Sequence, residues 1–533
     1  MTLKKIKIQI LSSLLLLLPF NIHAFSGELK KFQLSVYVDN AKLTDSFYLE
    51  VYPHVFSEAN MGSQMPVKTL VAANVNGTFR FQADIDEPTY FILSVGKYGK
   101  YTAGTGILTY YLVSPGDSVN IRISHLLNAT TSKKNGAGYI DIHYTWDDIL
   151  FTGRNAVKYE CRYNIDKEFK LWWEFLVYKQ KQKTKTSNNA KTVFDSAYYS
   201  KYPSNLVGTV AALNRQYVFK KTVLDLYREK LPSKEYFILK ANLIGETNWK
   251  ITQEYGVLKG NFEKNADPEQ KLKIQHELIK VYKERIKIPV DDISDNILAL
   301  SDQYLGALSF DAQYAKATYN VEGYYYLKNK FKGLLRDKAI TDYLLYNYFR
   351  VDNIDKLMAD ALSSVQSSYC KAILKEKNMG NAPGDVAFNF SLMSSKDQMV
   401  NLSDFKGKMV FVDLWYNGCA GCRGFYQSSL SEVEETFANN SNIIFITISI
   451  DKDKALWKQV IHYYSSDTSR NVVNLYTNGM ADLHPLIRAY KVSAYPHPFL
   501  IDPDGKIYKV DGLRTDPVRL TGLIKEALNK YNL

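Results

Sequence analysis

Between Phe25 and Leu150 apolar and polar residues alternate in short runs such as KFQLSVYVDN, SFYLEVYP, VNGTFRFQADI and YYLVSPGDSVNIRI, separated by Asn, Gly, Pro and Asp. A period of two, bounded by turn residues, gives each run one face for a core and one for solvent. Residues 25–150 are therefore predicted as a β domain of sandwich type. From Phe151 to Lys377 the period lengthens to that of a helix, in KEFKLWWEFLVYK, DPEQKLKIQHELIKVYKERIKIP and ITDYLLYNYFRVDNIDKLMADALSSV. In the second of these Asp267 suits an N-cap, Pro268 the first helical position and Gln270 the answering partner of a capping box. Residues 151–377 are predicted as a mostly α-helical domain with no fixed-period repeat.

At NMGNAPGDVAFNF, Gly and Pro mark a boundary near Gly380, and strands then alternate with helices. MVFVDLWY reads as a strand, the segment from Cys422 to about Phe437 as a helix, NIIFITISI as a strand and KDKALWKQVIHYY as a helix. FLIDPDGKIYKV reads as a hairpin turning at Asp504 and Gly505. TDPVRLTGLIKEALNKY is an amphipathic helix capped near Thr515 or Asp516, with Pro517 early in it. The order is βαβ followed by ββα, so 380–533 is predicted as an α/β domain and the whole chain as multidomain.

Composition agrees with several packed cores. A chain of 533 residues exceeds one ordinary domain, and 46% hydrophobic with 14% aromatic residues argue against wholesale disorder. The net charge of +12 is scattered. The one dense basic run, KQKQKTKTSNNAK from Lys179, lacks the interleaved aromatics of a nucleic-acid groove and reads as a solvated loop or helix end. No nucleic-acid partner is expected.

The first residues, MTLKKIKIQILSSLLLLLPFNIHAF, combine basic Lys4, Lys5 and Lys7 with an apolar run from Ile8 to Leu18, then Pro19 and a small residue at Ala24. This pattern predicts a signal peptide, residues 1–24, cleaved after Ala24. The apolar run is shorter than the roughly 20 residues a spanning helix needs, and no later segment is apolar enough to cross a bilayer. The expected location is a periplasm, with no membrane span after cleavage.

Two of the four cysteines stand two residues apart in WYNGCAGCRGF, where a strand hands over to a helix. That junction puts Cys419 at a helix amino terminus, where unpaired N–H groups and the macrodipole favour a thiolate, and Cys422 one turn further on. The alternative, a structural zinc site, normally needs a second pair of ligands at comparable spacing. Cys161 and Cys370 do not form such a pair, and His462, His484 and His497 are scattered. Redox chemistry is the expected role, with no cofactor beyond a redox-active Cys419–Cys422 disulfide and no metal.

VDLWYNGCAGC resembles the thioredoxin active-site signature, and LSDFKGKMVFVDLWYNGCAGC resembles more specifically the TlpA/ResA-type thiol:disulfide oxidoreductases. The resemblance covers about Gly380 to Leu533 and implies a thioredoxin fold there. More loosely, the β-rich start resembles a domain that precedes thioredoxin domains in some exported bacterial proteins. Residue by residue, the likeness makes Cys419 the nucleophile and Cys422 the resolving cysteine. Asp413 takes the place of the buried aspartate that manages the resolving proton. Pro496 takes the place of the cis-proline that faces the pair and keeps metals out, with Pro498 as its rival in YPHPF. The bordering positions Trp415, Tyr495 and His497 are expected to meet substrate, His497 beside the sulfurs.

The chain departs from the family at three places: Ala-Gly lies between the cysteines, Gly418 replaces a tryptophan, and Phe425 stands where ResA-type proteins often carry a glutamate. Potential and proton relay therefore do not carry over. The expected function is an exported protein-disulfide reductase, with protein thiols and disulfides as substrates and a membrane thiol reductase as electron donor. The alternatives are a thioredoxin-fold peroxidase, disfavoured because DLWYNG lacks the Pro-x-x-x-Thr-x-x-Cys loop, and a binding or scaffold protein with an accessory redox domain. Cys161 and Cys370 are read either as a disulfide joining the ends of the helical segment or as two separately buried thiols.

Overall fold

The computed structural model describes residues 31–533 except 40, 42–44, 62–67, 98–105, 125–129, 132–141, 144–148, 185–201, 266–267, 286–287, 467–468 and 493. The predicted leader and the predicted cap Asp267 lie outside the described residues. The chain divides into two compact units, Met1–Val321 and Glu322–Leu533.

In the first unit the strand Lys31–Val38 buries Phe32, Leu34, Val36 and Val38 and turns Lys31, Gln33 and Tyr37 outward, as its alternation requires. It pairs antiparallel with Thr78–Asp84 and parallel with Ser118–Ile123, whose other edge carries Ile149–Arg154. A second sheet runs in the order Lys68–Ala73, Asp45–Val51, Thr89–Lys97, Gly106–Val113, antiparallel throughout. Buried side chains of both sheets join one apolar cluster, which also takes in Tyr159 and Tyr163 from the start of the helix Val157–Thr184.

Beside that cluster lies a buried ionic network. Lys158 Nζ stands 2.6 Å from Asp117 Oδ2 and 2.7 Å from Glu235 Oε1. Asp117 Oδ2 also accepts from the Tyr159 hydroxyl at 2.6 Å and the Ser114 N–H at 2.8 Å. The one cation is shared by two carboxylates, and hydrogen bonds to both acids make their burial tolerable. Beyond it, the helices Tyr202–Asp225, Ser233–Asn265 and Pro268–Arg285 close on Leu206, Ile251, Tyr255, Leu278 and Tyr282.

The second unit opens with four helices, Gly323–Lys330, Gly333–Asn347, Ile354–Ser364 and Ser368–Asn378. The helical stretch that the sequence shows as one block thus contributes to both units. Several contacts fasten these helices and the turns between them to the following α/β fold, including the ion pair of Arg519 with Asp352 at 2.8 Å. Asp511 Oδ2 accepts from the Ile354 N–H at 3.0 Å, at the start of its helix, and the Phe349 ring lies 4.1 Å from the His497 ring.

The sheet of this unit runs in the order Met399–Asn401, Ser391–Ser394, Val472–Tyr476, Ile443–Ser449, Met409–Trp415, Phe499–Ile501, Ile507–Lys509. Met409–Trp415 lies parallel to Ile443–Ser449 and antiparallel to Phe499–Ile501. All seven positions of both parallel strands are buried, so they appear in the sequence as mostly apolar runs, interrupted by Asp413 in one and by Thr447 and Ser449 in the other. Helix runs from Ala420 to Thr436 with one π turn at Tyr426–Leu430. The closing helix Pro517–Lys530 is capped by Asp516, whose carboxylate accepts from the Arg519 N–H at 3.0 Å. The βαβ and ββα order stands, and Ser391–Ser394, Met399–Asn401 and Val472–Tyr476 are strands additional to the predicted ones.

Candidate functional site

The strand Met409–Trp415 ends at the cysteine pair, and the turn between them is pinned by three side chains. The Asn417 N–H donates to Asp451 Oδ1 at 2.9 Å, the Gly418 N–H to the Tyr464 hydroxyl at 3.0 Å, and the Tyr464 ring stacks on Trp415 at 4.3 Å. Gly418 has φ +91, while a Cβ there would meet nothing within 4 Å. A side chain at this position would be strained by the backbone conformation, not by a clash at its Cβ.

Cys419 caps the helix that begins at Ala420, and its Sγ accepts from the Cys422 N–H at 3.0 Å. The two sulfurs are joined as a disulfide, with Cα atoms 5.3 Å apart. Cys419 is 5% exposed against 2% for Cys422, so the slightly more accessible cysteine is the one at the helix terminus. Around them pack Trp415, Trp457, Val460, Ile461, Tyr464 and Tyr476, with Tyr416 and Tyr495 at the partly buried margin. The apolar wall removes water, so the N–H groups of the helix start act on sulfur at low dielectric.

The cis peptide bond is Tyr495–Pro496, not the bond preceding Pro498. A Cβ built on Gly421 would lie 3.6 Å from Pro496 Cδ and 3.7 Å from the Tyr495 carbonyl oxygen, so this loop faces the dipeptide between the cysteines. Tyr495 meets Tyr416 edge to face at 5.5 Å.

Asp413 is 2% exposed, and its Oδ1 has no hydrogen-bonding partner among the described residues. Burial pushes its pKa up to about 7, against the opposing pull of the Arg514 charge and of the His497 and Leu414 backbone N–H groups. A carboxyl poised there exchanges a proton near neutrality. A second buried acid escaped the sequence reading. Glu434, on the helix that follows the cysteines, is 1% exposed, and burial raises its pKa to about 8, with the Asp413 charge adding to the rise. Its Oε2 accepts from the Ser466 N–H at 3.3 Å. In SEVEET it looks like one of several solvated glutamates, and only its position between buried Val433 and Phe437 marks it as inward.

Two expected substrate contacts are corrected. Trp415 is fully buried, because the strand that carries it is covered on both faces and its ring is taken by Tyr464. His497 is 2% exposed, its ring lying between Phe349 at 4.1 Å and Phe499 at 6.1 Å. Its N–H donates to the Leu414 carbonyl at 3.2 Å, which ties the proline loop to the strand before the cysteines. Burial first, then the Lys377 and Arg514 charges, lowers its pKa to about 3, so the imidazole is neutral. Tyr416, unnoticed in the sequence, takes the marginal place expected of Trp415. Phe425 belongs to the apolar core and relays no proton.

Cys161 and Cys370 are buried free thiols, the second of the two readings left open by the sequence. Burial raises the first to about 12 and the second to about 11. Among the described residues no group of three or more His, Cys, Asp or Glu could hold a metal ion, and no helix is long and apolar enough to cross a membrane.

Residues 383–510 match the model of the AhpC/TSA family. This part of the chain resembles thioredoxin-like domains of the ResA/TlpA type. Its curated relative is the thiol-disulfide oxidoreductase ResA of Bacillus subtilis, 28% identical over 133 residues, which make up 24% of this chain and 65% of ResA. Among solved structures it is similar to the thioredoxin domain of a thiol-disulfide oxidoreductase from Bacteroides vulgatus, at 28% identity and a TM-score of 0.24, covering 27% of this chain and 96% of that one. A thiol:disulfide interchange protein from a Bacteroides species matches at 29% identity and a TM-score of 0.23, covering 29% of this chain and 93% of that one. The matches to the family model and to ResA agree with the resemblance read from LSDFKGKMVFVDLWYNGCAGC in the carboxy-terminal part of the chain.

Proposed function

We propose that the protein is an exported reductase of protein disulfides working through Cys419 and Cys422. The observation that carries the reading is the helix-terminal position of Cys419, whose Sγ accepts the Cys422 N–H, facing the Tyr495–Pro496 loop through Gly421. In the reduced protein Cys419 would be the thiolate. It attacks one sulfur of a substrate disulfide, forming a mixed disulfide and expelling the other substrate sulfur as a thiolate. Cys422 then loses its proton to Asp413 and attacks the Cys419 sulfur, releasing the second substrate thiolate. Two electrons pass to the substrate, and the product is the Cys419–Cys422 disulfide found in the structure.

Turnover requires a dithiol donor, for which a membrane thiol reductase is the natural class if the leader directs export and cleavage follows Ala24. No diffusible cofactor or metal enters this scheme. The position of Tyr416 and Tyr495 at the margin of the sulfur pocket supports a role for both in substrate contact.

Trapping tests the order of events. Cys422→Ser leaves an attacker whose mixed disulfide cannot be resolved, because a hydroxyl does not displace sulfur. Expressed in its native host, it is expected to accumulate reductant-sensitive adducts on non-reducing gels, whereas Cys419→Ser is expected to trap almost none. Equal trapping by both variants, or none by either, would remove the proposed mechanism. Metal binding lost equally in both variants would point to a zinc site instead.

A further inference from the structure

Away from the cysteines, the first unit contains a polar cavity of about 250 Å³. Its walls come from the helices Val157–Thr184, Tyr202–Asp225, Ser233–Asn265 and Asp302–Gln313 and from the short helix Glu58–Met61. That volume falls below the roughly 300–1,000 Å³ of sites for drug-sized ligands, so an occupant has few heavy atoms.

The chemistry of the lining narrows the occupant further. Arg162 donates from Nε to Asp166 Oδ2 at 2.8 Å, and its guanidinium stands 5.9 Å from the Tyr111 ring. Among the described residues its two terminal amines donate to no acceptor. An arginine fixed at Nε and resting on a ring keeps the outer edge of its fork for a carboxylate, bound by two parallel N–H bonds. The lysines do not compete for that role. Lys220 and Lys250 both donate to Glu246, at 2.8 and 2.6 Å.

Glu58 stands at the same cavity. The Gln303 amide holds its Oε2 at 3.0 Å, and its Oε1 has no partner among the described residues. Trp249 adds an apolar wall, backed by the Phe310 ring at 5.9 Å. The frame is stiff where Gln303 enters, because a Cβ at Gly245 would collide with the Gln303 and Tyr304 backbone. The two helices meet there with no side chain between them.

Charge balance decides between classes of ligand. The lining carries three cationic and three anionic side chains. A purely anionic or cationic ligand would leave an uncompensated charge in a partly enclosed space, whereas a neutral zwitterion would not. We infer that this cavity is a binding site for a small zwitterion, an amino acid or dipeptide, whose carboxylate takes the Arg162 fork and whose ammonium takes Glu58. This assignment is independent of the thiol chemistry proposed for the second unit.

Isothermal titration of the full-length protein with L-alanine, L-alanyl-L-alanine, N-acetyl-L-alanyl-L-alanine and L-alanyl-L-alanine amide tests it. The expected result is saturable binding of the amino acid or the free dipeptide, with each blocked dipeptide at least tenfold weaker than the free one if the latter binds. Arg162→Gln is expected to abolish binding with the circular dichroism spectrum unchanged. If that variant does not fold, the exposed Glu58→Gln serves in its place. It is expected to weaken the unblocked ligand at least fivefold and to leave any binding of the N-acetyl dipeptide unaltered. Failure of both unblocked ligands to saturate the wild-type protein overturns the proposal. So does unchanged affinity in a folded Arg162→Gln protein or, where that protein does not fold, in Glu58→Gln.

Discussion

Asp413 shows how far a single buried carboxyl shapes both chemistry and stability. Its pKa of about 7 lies well above the roughly 3.9 of an unfolded aspartate. Between those values the folded protein binds more protons than the unfolded one, so the free energy of unfolding falls as pH rises from about 4 to about 7. About three pKa units correspond to a loss on the order of 4 kcal/mol. Glu434, raised to about 8, acts with the same sign. His497 acts oppositely: neutral when folded with a pKa near 3, it withdraws stability as pH falls from about 6.5. Asp413→Asn is therefore expected to be more stable than wild type at pH 8, to differ little at pH 4, and to exchange disulfides more slowly. Urea unfolding at the two pH values and stopped-flow exchange check this, and a variant with wild-type pH dependence would place Asp413 outside the account. Asp413 was legible because it stands six positions before Cys419 in an apolar run. The burial of His497 was not, since it depends on Phe349, a residue far off in sequence.

At the scale of elements, legibility followed length and period. Met409–Trp415, Ile443–Ser449 and Pro517–Lys530 carry strong apolar runs or capped amphipathic patterns and were found. Ser391–Ser394 and Met399–Asn401, of four and three residues, are too short for any period to register. The Lys158 network was illegible for another reason. A lysine flanked by apolar residues reads as solvated unless its partners are known, and Asp117 and Glu235 come from a turn and a distant helix. Lys158→Ala would leave two buried carboxylates without their cation, and the expected loss is about 3–5 kcal/mol. Urea unfolding of the full-length protein measures it. A loss below about 1 kcal/mol would mean that the network is not closed as described.

On the scale of the whole molecule, the α/β fold shares its compact unit with the four helices from Gly323 to Asn378. Those helices cover His497 through Phe349 and take the Asp511 carboxylate at the Ile354 N–H. A fragment spanning 322–533 is therefore expected to melt above one spanning 380–533, by about 2–4 °C for each kcal/mol of these contacts. Equal melting temperatures would show that the helices add nothing to the fold. The change of texture near Gly380 was visible in the sequence because Gly and Pro interrupt the helical period there. Which unit the preceding helices join is a tertiary property that no local period encodes. The claim that unites site and fold is that the Cys419–Cys422 pair hands two electrons to a protein disulfide. Mixing the fully reduced protein with insulin, in the absence of other thiols, and mapping both partners by mass spectrometry tests it most directly. The expected result is stoichiometric loss of two hydrogens from the peptide containing Cys419 and Cys422, with matching reduction of insulin and no change at Cys161 or Cys370. Insulin left oxidised, or reduced equally well by Cys419→Ser protein, would contradict the account.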